Sequence, residues 1–427
     1  MGGQAKRSGA RVEFDLPFYR YKPWIAGDDM TDLPGTPDFD FWPVEHAAMA
    51  LRHDDEALTV TWSDGAASDY HALLLRENSP DSATTHVKAR EMCIAPIDIA
   101  ADLAILGARI EENGAISVTF SDGTTSAYHP GWLRGIGWFG EESPGAPVLW
   151  LGTELPAPPS FDGPAALENS AVFLQWLEAL AGHGLARLRD LPLRDGLLEE
   201  IVTRIGPVRE SNFGRQFVLD IKDDPDSQAY TSDSLPQHID LPTRETPHGL
   251  QFFYVRANTT TGGEGTYVDG YRVAEDMRIE EPEHYGSLTG DVWEYNNRSR
   301  ISDYRGHGPV VETDAAGRIT GIRYNTFLKA PLRAPLAVQD RAYKAYRAFC
   351  ARAQDPRYEM RVIYEAGDLV AFDNRRVLHG RAGYDAKGGR RYIEGIYSDR
   401  DDLFSRIRTL RRQFRREAAA APDTVAS

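Results

Sequence analysis

The stretch LPQHIDLPTR, residues 235–244, places His238 and Asp240 two positions apart between prolines. Proline has no amide hydrogen and is disfavoured inside helices, so this segment is predicted to be extended. Residues i and i+2 of an extended strand point to the same side. The imidazole and the carboxylate are therefore expected to face one point in space, as two ligands of a single metal ion would.

A distant histidine completes this pattern. His379 ends an alternating, strand-like run in GDLVAFDNRRVLHGRAGYD, residues 367–385. Two histidines and one carboxylate form the facial triad that suits non-haem Fe(II) and leaves coordination positions open. A His-x-Asp tripeptide alone is weak evidence, but a second histidine on a β-rich scaffold strengthens it. We predict that His238, Asp240 and His379 bind a metal ion and form the catalytic centre.

An arginine follows at a suitable distance. Arg391 stands twelve residues after His379, at the start of the apolar run RYIEGIYS. A guanidinium can bind a carboxylate through two parallel hydrogen bonds. An enzyme that binds 2-oxoglutarate through its metal needs such a group for the far carboxylate, so Arg391 is the predicted co-substrate residue. Arg390, which would point to the other face, is the alternative, and both arginines could instead be surface charges.

The rest of the second half of the chain is rich in short strands. Helices are predicted in LENSAVFLQWLEALAGHG (167–184), DGLLEEIVTRIG (195–206) and VQDRAYKAYRAFCARAQ (338–354), and LARLRDLP (185–192) is predicted to hold a short strand. From residue 249 onward, strand-like runs dominate and only the last of these helices interrupts them. Many short strands with few helices favour a β-sandwich or barrel that carries helices on its outside.

Several of these stretches together resemble a known family. They are HGLARLRDLP, RESNFGRQF, QHIDLPTRETPHGLQFFYV, TTGGEGTYVDGYRVAEDM, GDLVAFDNRRVLHGRAGYD and YIEGIYSDRDDLFSRIR. Residues 164–410 resemble the γ-butyrobetaine hydroxylase and trimethyllysine dioxygenase branch of the taurine-dioxygenase-like 2-oxoglutarate oxygenases. The resemblance implies a mainly β fold with α-helices, built on a double-stranded β-helix (jelly-roll) catalytic domain. It also implies Fe(II), 2-oxoglutarate and O2, and hydroxylation of an unactivated C–H bond.

The first part of the chain contains an internal repeat. LTVTWSDGAASDYHALLLR (58–76) and ISVTFSDGTTSAYHPGWLR (116–134) are identical at 10 of 19 positions. Each copy is predicted to form a hairpin around an Asp-Gly turn, and the family resemblance likewise implies a small N-terminal β-rich domain. The predicted organisation is an N-terminal extension (1–45), the repeat domain (46–140), a linker (141–163), the oxygenase domain (164–418) and a disordered tail (419–427).

The repeat domain departs from the family pattern at one place. Many members have a Cys-x-Cys-x-x-Cys cluster that, with a later histidine, binds structural zinc. Here LRENSPDSATTH places Ser79, Asp81 and Thr84 at the cysteine positions. Hydroxyls are poor zinc ligands beside thiolates, so no zinc is predicted. The nearby histidines, interpreted as ordinary polar residues, are His71, His86 and His129.

The family resemblance also suggests how a substrate is held. Its substrates end in a quaternary trimethylammonium group, which aromatic rings attract through cation–π interactions. The positions carried over as a cage are Phe213, Phe217, Tyr230 and Tyr397, with Asn325 near the substrate carboxylate. A plain apolar pocket, and the same chemistry on another small acid such as a natural-product intermediate, are the alternatives.

One further position concerns 2-oxoglutarate. Relatives often have a threonine or serine after the Gly-Gly pair that touches this co-substrate, whereas this chain has Gly265 followed by Thr266. Thr266 is the predicted substitute.

Composition excludes several classes of protein. The net charge of −16 argues against a nucleic-acid partner, and no run of 18 apolar residues predicts a membrane span. The segment MGGQAKRSGARVEF lacks the apolar core of a signal peptide. We therefore expect a cytoplasmic enzyme acting on a small molecule, and the family resemblance implies a homodimer. A zinc hydrolase using the same three ligands, or a non-catalytic binding protein, would be the competing classes.

Overall fold

The computed structural model describes residues 33–136, 146–220, 231–298, 302–385 and 389–420. The chain divides into two compact units, Met1–Phe139 and Gly140–Ser427. The predicted cage residue Tyr230 and the predicted tail from residue 421 lie outside the described residues. Among the described helices, none combines the length and the apolar character needed to cross a membrane.

The first unit contains two three-stranded antiparallel sheets, each followed by a short helix. Their elements are β1 (Ala48–His53), β2 (Ala57–Trp62), β3 (Ala67–His71), α1 (Ala72–Glu77), β4 (Ile105–Ile110), β5 (Ile116–Phe120), β6 (Thr125–Tyr128) and α2 (Pro130–Gly135), with a single 3-10 turn at Pro96–Asp98. The two hairpins predicted from the repeat, β2–β3 and β5–β6, are confirmed. Gly65 and Gly123 have positive φ of 83° and 86° in the two Asp-Gly turns, as such turns require.

Equivalent residues of the two repeats contact each other in both directions. A tyrosine of each repeat donates its hydroxyl to a leucine carbonyl in the other repeat's helix, and an arginine of each reaches the turn aspartate of the other. The pairs are Tyr70 with Leu133 O, Tyr128 with Leu75 O, Arg76 with Asp122 and Arg134 with Asp64. The sequence repeat is therefore a structural pseudo-symmetry, with each copy satisfying the buried polar groups of the other.

The second unit is built on two larger sheets. Its strands are β7 (Ser160–Asp162), β8 (Leu185–Arg189), β9 (Phe217–Leu219), β10 (Leu235–His238), β11 (Leu250–Asn258), β12 (Gly265–Asp269), β13 (Trp293–Arg298), β14 (Asp303–Gly308), β15 (Val311–Thr313), β16 (Ile319–Ile322), β17 (Glu359–Val362), β18 (Leu369–Asp373), β19 (Val377–Arg381) and β20 (Arg391–Ser398). The six-stranded sheet has the order β7-β8-β18-β11-β20-β9, and the four-stranded sheet has the order β10-β19-β12-β17. The remaining strands pair as hairpins β13–β14 and β15–β16.

Alternation along β11 separates two cores. Phe252 and Tyr254 belong to the cluster formed with the helices on one side of the six-stranded sheet. Phe253 and Val255 face the other way and pack with Tyr267 of the four-stranded sheet. The two sheets therefore enclose an apolar interior, as the predicted jelly-roll requires.

Helices are more numerous than predicted. They are α3 (Gly163–Glu168), α4 (Ser170–His183), α5 (Leu197–Thr203), α6 (Gly270–Glu280), α7 (Pro282–Gly290), α8 (Leu336–Ala353) and α9 (Arg400–Ala420). The single helix expected over 167–184 is two, because Asn169 is extended and caps α4 by accepting from the Ala171 amide. Helices α6, α7 and α9 were not predicted; in α9 the buried residues Leu403, Ile407 and Leu410 stand four and three apart within a highly charged sequence.

The segment expected to be a linker is partly folded. Its Trp150 is buried in the core between the sheets and donates its indole N–H to His183 O at 2.9 Å. Residues Ser160–Asp162 form the edge strand β7, which pairs with β8 in parallel.

Candidate active site

Three predicted ligands meet at one end of the four-stranded sheet. His238 ends β10 and pairs with His379 in β19, and their rings lie 4.3 Å apart. The Oδ1 atom of Asp240 lies 3.3 Å from Nε2 of His238 and 3.7 Å from Nε2 of His379. One donor atom from each residue falls within 4.8 Å of the others. The His-x-Asp segment presents both side chains to one point, as predicted, although β10 ends at His238 and Asp240 follows it in a bend.

Both histidines turn Nε2 toward Asp240. Nδ1 of His238 lies 2.9 Å from Pro236 O; a carbonyl only accepts, so Nδ1 carries a hydrogen and Nε2 is the nitrogen that faces the other two ligands. Burial, reinforced by the neighbouring His238, lowers the pKa of His379 to about 3. Burial would raise the pKa of Asp240, but the two histidines and the Tyr397 hydroxyl outweigh it and lower that pKa. Near pH 7, His379 is therefore a neutral imidazole and Asp240 a carboxylate.

Asp240 is oriented by groups from the other sheet. Its Oδ2 accepts hydrogen bonds from Gln251 Nε2 at 2.9 Å and from the Tyr397 hydroxyl at 2.7 Å. The Asn374 amide accepts from the backbone N–H of Asp240 at 2.7 Å and donates to its carbonyl at 3.0 Å. With Oδ2 engaged, only Oδ1 faces the histidines. This arrangement favours a single coordinating oxygen and leaves room for other ligands.

The donor set fits Fe(II). Two imidazole nitrogens and one carboxylate oxygen converge from one side, and the described residues contain no other such group of three. Thiolate ligands, which would favour zinc or an iron–sulfur cluster, do not contribute.

Arg391 is placed where a carboxylate could reach it. In β20, residues 391, 393, 395 and 397 alternate onto the inner face, so Arg391 shares that face with Tyr397. The Arg391 side chain is 6% exposed, and within the described part of the chain it has no carboxylate partner. Arg390 is exposed instead. A buried guanidinium without an anion is costly unless a ligand supplies one.

Aromatic side chains lie beside the triad. The ring of Phe217 is 5.1 Å from Tyr397, 6.5 Å from Phe213 and 6.4 Å from Phe253, and Phe253 is 6.1 Å from His379. This cluster brings together the three predicted cage residues that the structure describes. A Cβ on Gly395 would lie 2.3 Å from the Phe217 ring, so the glycine at this position is what lets the ring lie against β20.

Two predicted residues lie away from the metal ligands. Thr266 pairs with Gly380, while its neighbour Tyr267 pairs with His379; the Thr266 side chain therefore occupies the opposite face, with its hydroxyl 3.4 Å from Gln237 Nε2. Within the described part of the chain, the Asn325 amide hydrogen-bonds to backbone atoms: Nδ2 donates to Ile239 O at 3.2 Å, and Oδ1 accepts from the backbone N–H groups of Phe327 and Leu328. Asn325 shapes the loop rather than facing the pocket.

Two other residues at the site were not predicted. Phe327, which follows Asn325, lies 4.9 Å from the His238 ring and is 39% exposed. His248 is buried 4.7 Å from the Tyr397 ring, and neither of its ring nitrogens has a hydrogen-bond partner among the described residues. The only sequence signal for Phe327 was its place two residues after Asn325, and His248 carried no signal beyond its place in the family-like stretch 237–255.

The fold and the metal ligands define an iron- and 2-oxoglutarate-dependent dioxygenase. Residues 143–397 match the Taurine catabolism dioxygenase TauD, TfdA family, and the chain belongs to this family. Residues 49–134 match the family described as Gamma-butyrobetaine hydroxylase-like, N-terminal.

Individual relatives fall in one branch. The chain is 39% identical over 382 residues to the gamma-butyrobetaine dioxygenase of Pseudomonas sp. (strain AK-1), covering 88% of this chain and 99% of the relative. It is 26% identical to the human gamma-butyrobetaine dioxygenase, covering 83% and 95% of the two chains. The human mitochondrial trimethyllysine dioxygenase is 27% identical, with 75% of each chain covered.

Proposed function

We propose that this dioxygenase hydroxylates an unactivated C–H bond of a small acid that carries a quaternary ammonium group, as γ-butyrobetaine does. The observation that carries the proposal is the aromatic cluster of Phe213, Phe217 and Tyr397 beside the metal ligands. The names of the two kinds of relative, γ-butyrobetaine and trimethyllysine dioxygenases, support a trimethylammonium group as the shared feature.

The surroundings of the cluster suit a cation. Rings within about 6 Å of a quaternary ammonium attract it through their negative faces. Burial, with a smaller contribution from the Arg209 charge, lowers the pKa of His248 to about 4. The imidazole next to Tyr397 is therefore neutral near pH 7 and adds ring surface without repelling a positive ligand.

The protein's part in the reaction is to hold the metal, the co-substrate and the substrate in place and to exclude water. Bound iron, with 2-oxoglutarate and O2, supplies an oxidant able to remove a hydrogen atom from carbon. The triad holds the metal, Arg391 binds the far carboxylate of 2-oxoglutarate, and the aromatic cluster fixes the substrate's ammonium end. The apolar interior excludes water, so that the C–H bond presented to the metal is the one oxidised.

The main alternative is an apolar pocket for another small acid. A substitution at Phe217 distinguishes the two functions. Tyr397 is a poor test because its hydroxyl also orients Asp240. Phe217→Leu keeps apolar volume and removes one ring face. We expect γ-butyrobetaine binding to weaken about tenfold, corresponding to about 1.4 kcal/mol.

The matched ligand is 5,5-dimethylhexanoate, in which carbon replaces the nitrogen. Its binding to the parent enzyme should be weak and nearly unchanged by the substitution. Phe161→Leu, which alters a ring packed on the helix-side core, serves as the control variant. Equal binding of the charged and neutral ligands would show an apolar pocket and remove the ammonium assignment.

We also infer a cytoplasmic homodimer without nucleic-acid or membrane partners. The acidic composition argues against a nucleic-acid partner, and the homodimer follows from the resemblance of the chain to the γ-butyrobetaine hydroxylase branch. Light scattering coupled to gel filtration tests the dimer; a monomeric mass would reject it.

A further inference from the structure

Two tyrosines meet in the wall of the interior beside Arg391. The hydroxyls of Tyr267 and Tyr364 lie 2.5 Å apart. Both side chains are buried, at 0% and 4% exposure. The centroid of the Tyr364 ring is 5.9 Å from Cζ of Arg391. A polar pair therefore lies next to the guanidinium that has no carboxylate partner.

The two tyrosine hydroxyls have one hydrogen that the bond between their oxygens does not use. Each hydroxyl has one hydrogen, and the bond between the two oxygens uses one of them. Among the described residues, neither oxygen has another hydrogen-bond acceptor. A buried O–H without an acceptor is unfavourable, so the pair is suited to an anion bound at Arg391.

The pair lies between the metal and the arginine. Tyr267 pairs with His379 across β12 and β19, which puts its side chain on the inner face with that ligand. Its ring is 5.5 Å from Phe372, whose ring is 4.8 Å from His379. The Tyr267 hydroxyl contacts the Tyr364 hydroxyl, and the Tyr364 ring lies next to Arg391. A ligand bound to both the metal and Arg391 would pass the tyrosines.

The glycine at position 265 leaves the space that the Tyr364 hydroxyl occupies. A Cβ at Gly265 would lie 2.2 Å from the Tyr364 hydroxyl oxygen and 2.6 Å from its Cζ. No side chain fits at 265 while Tyr364 keeps its position. The Tyr364 hydroxyl therefore occupies the space that a side chain at 265 would need.

We propose that Tyr364, supported by Tyr267, donates the hydroxyl hydrogen bond to the far carboxylate of 2-oxoglutarate at Arg391, in place of a side chain at 265. The predicted substitute, Thr266, lies on the other face of β12. This inference rests on the oxygenase function and on Arg391 as the carboxylate site, and is independent of which substrate is oxidised.

A second arginine nearby does not compete for this role. Arg381 lies on the same face as Gly265, with which it pairs. Its guanidinium donates to the carbonyls of Thr231 and Asp233, both at 2.7 Å. Its hydrogen bonds hold the segment before β10, whereas Arg391 has its charge available.

The test is anaerobic titration of 2-oxoglutarate into Fe(II)-loaded enzyme, followed by the visible charge-transfer absorption of the complex. Tyr364→Phe should raise the Kd for 2-oxoglutarate about tenfold, the effect of losing one hydrogen bond to a charged group. Iron content should not change. Tyr254→Phe is the matched control, since this buried hydroxyl donates to Pro192 O on the helix side, and its Kd should equal that of the parent.

A ligand change separates a direct contact from a general loss of structure. The 2-oxo acid 2-oxopentanoate keeps the metal-binding end and has a methyl group in place of the far carboxylate. Tyr364→Phe should leave its affinity unchanged; equal weakening of both ligands would overturn the proposal. Gly265→Ala, which displaces the Tyr364 hydroxyl, should repeat the selective effect if Tyr364→Phe fails to fold.

Arg391→Ala distinguishes the two levels of inference. If this variant raises the Kd for 2-oxoglutarate and Tyr364→Phe does not, the arginine site stands and the tyrosine proposal falls. If Arg391→Ala has no effect either, the location of the carboxylate site itself is wrong.

Discussion

Two polar clusters in this chain differ in how their polar groups are satisfied. In the catalytic unit, His238, Asp240 and His379 each turn a ligand atom toward one point. In the repeat unit, the residues at the family's zinc positions satisfy one another. Their contacts are Ser79 Oγ to Asp81 Oδ2 at 2.5 Å, Ser79 Oγ to Ser126 Oγ at 2.5 Å, Thr84 Oγ1 to Asp81 Oδ2 at 3.0 Å and Arg76 Nη1 to Thr84 Oγ1 at 2.8 Å.

The difference lies in the balance of donors and acceptors. At the catalytic cluster, the His238 N–H points away to Pro236 and the donors from Gln251 and Tyr397 take only the outer oxygen of Asp240. The acceptor atoms that face the centre of the cluster remain, and they are suited to bind a cation. At the repeat cluster, the Ser79 and Thr84 hydroxyls donate to the Asp81 carboxylate, and the Arg76 guanidinium donates to Thr84 Oγ1. These residues do not fit zinc, because no thiolate or imidazole is among them.

The largest expected effect is on the catalytic cluster. His379→Ala removes one of three protein ligands, so iron should no longer co-purify and turnover of 2-oxoglutarate should fall by more than about 100-fold, beyond the loss typical of outer-shell changes. Metal analysis and succinate release measure both quantities. Ser79→Ala should leave both unchanged, and near-parent activity in His379→Ala would remove the triad assignment.

How much the sequence predicted depended on whether the signal was local. His238 and Asp240 were readable because they stand two positions apart in one short segment between prolines, and alternation along β20 separated Arg391 from Arg390. The clamp on Asp240 was not readable: Gln251 lies in β11 and Tyr397 in β20, and only strand pairing places them side by side.

Thr266, Tyr364 and Tyr397 likewise show that contacts between strands cannot be read from sequence spacing. Thr266 was chosen by adjacency to Gly265, but one step along a strand reverses the face. Tyr364 is 99 positions from Gly265 in the numbering and reaches it through β17 and the turn that follows. Tyr397 matched an aromatic cage position, yet its hydroxyl serves the metal ligand. Which group a ring's polar end touches is set by packing between sheets, and sequence spacing does not contain it.

A smaller effect is expected in the repeat unit. Ser79→Ala removes a buried hydroxyl that contacts both Asp81 and Ser126, and should destabilise this unit by about 1–3 kcal/mol. Hydrogen exchange of peptides from residues 57–134 in the intact chain measures this change. The exposed Ser82→Ala is the control. A chelator should leave protection of these peptides unaltered; a loss of protection, or a second stoichiometric metal, would show that the cluster binds an ion.

The smallest expected effect is the pH dependence of the repeat cluster. Burial would raise the pKa of Asp81, but hydrogen bonds from Ser79, Thr84 and two backbone amides outweigh it and lower that pKa below its ordinary 3.8. A carboxyl whose pKa is depressed on folding contributes stability above its unfolded pKa and loses that contribution as pH falls through the folded pKa. Protection of the repeat peptides relative to Asp81→Asn should thus be constant from neutral pH down to about 4, and the difference should shrink below it. A difference that persists unchanged in acid would show that the Asp81 charge does not hold the cluster together, and that the hydroxyl contacts alone replace the metal.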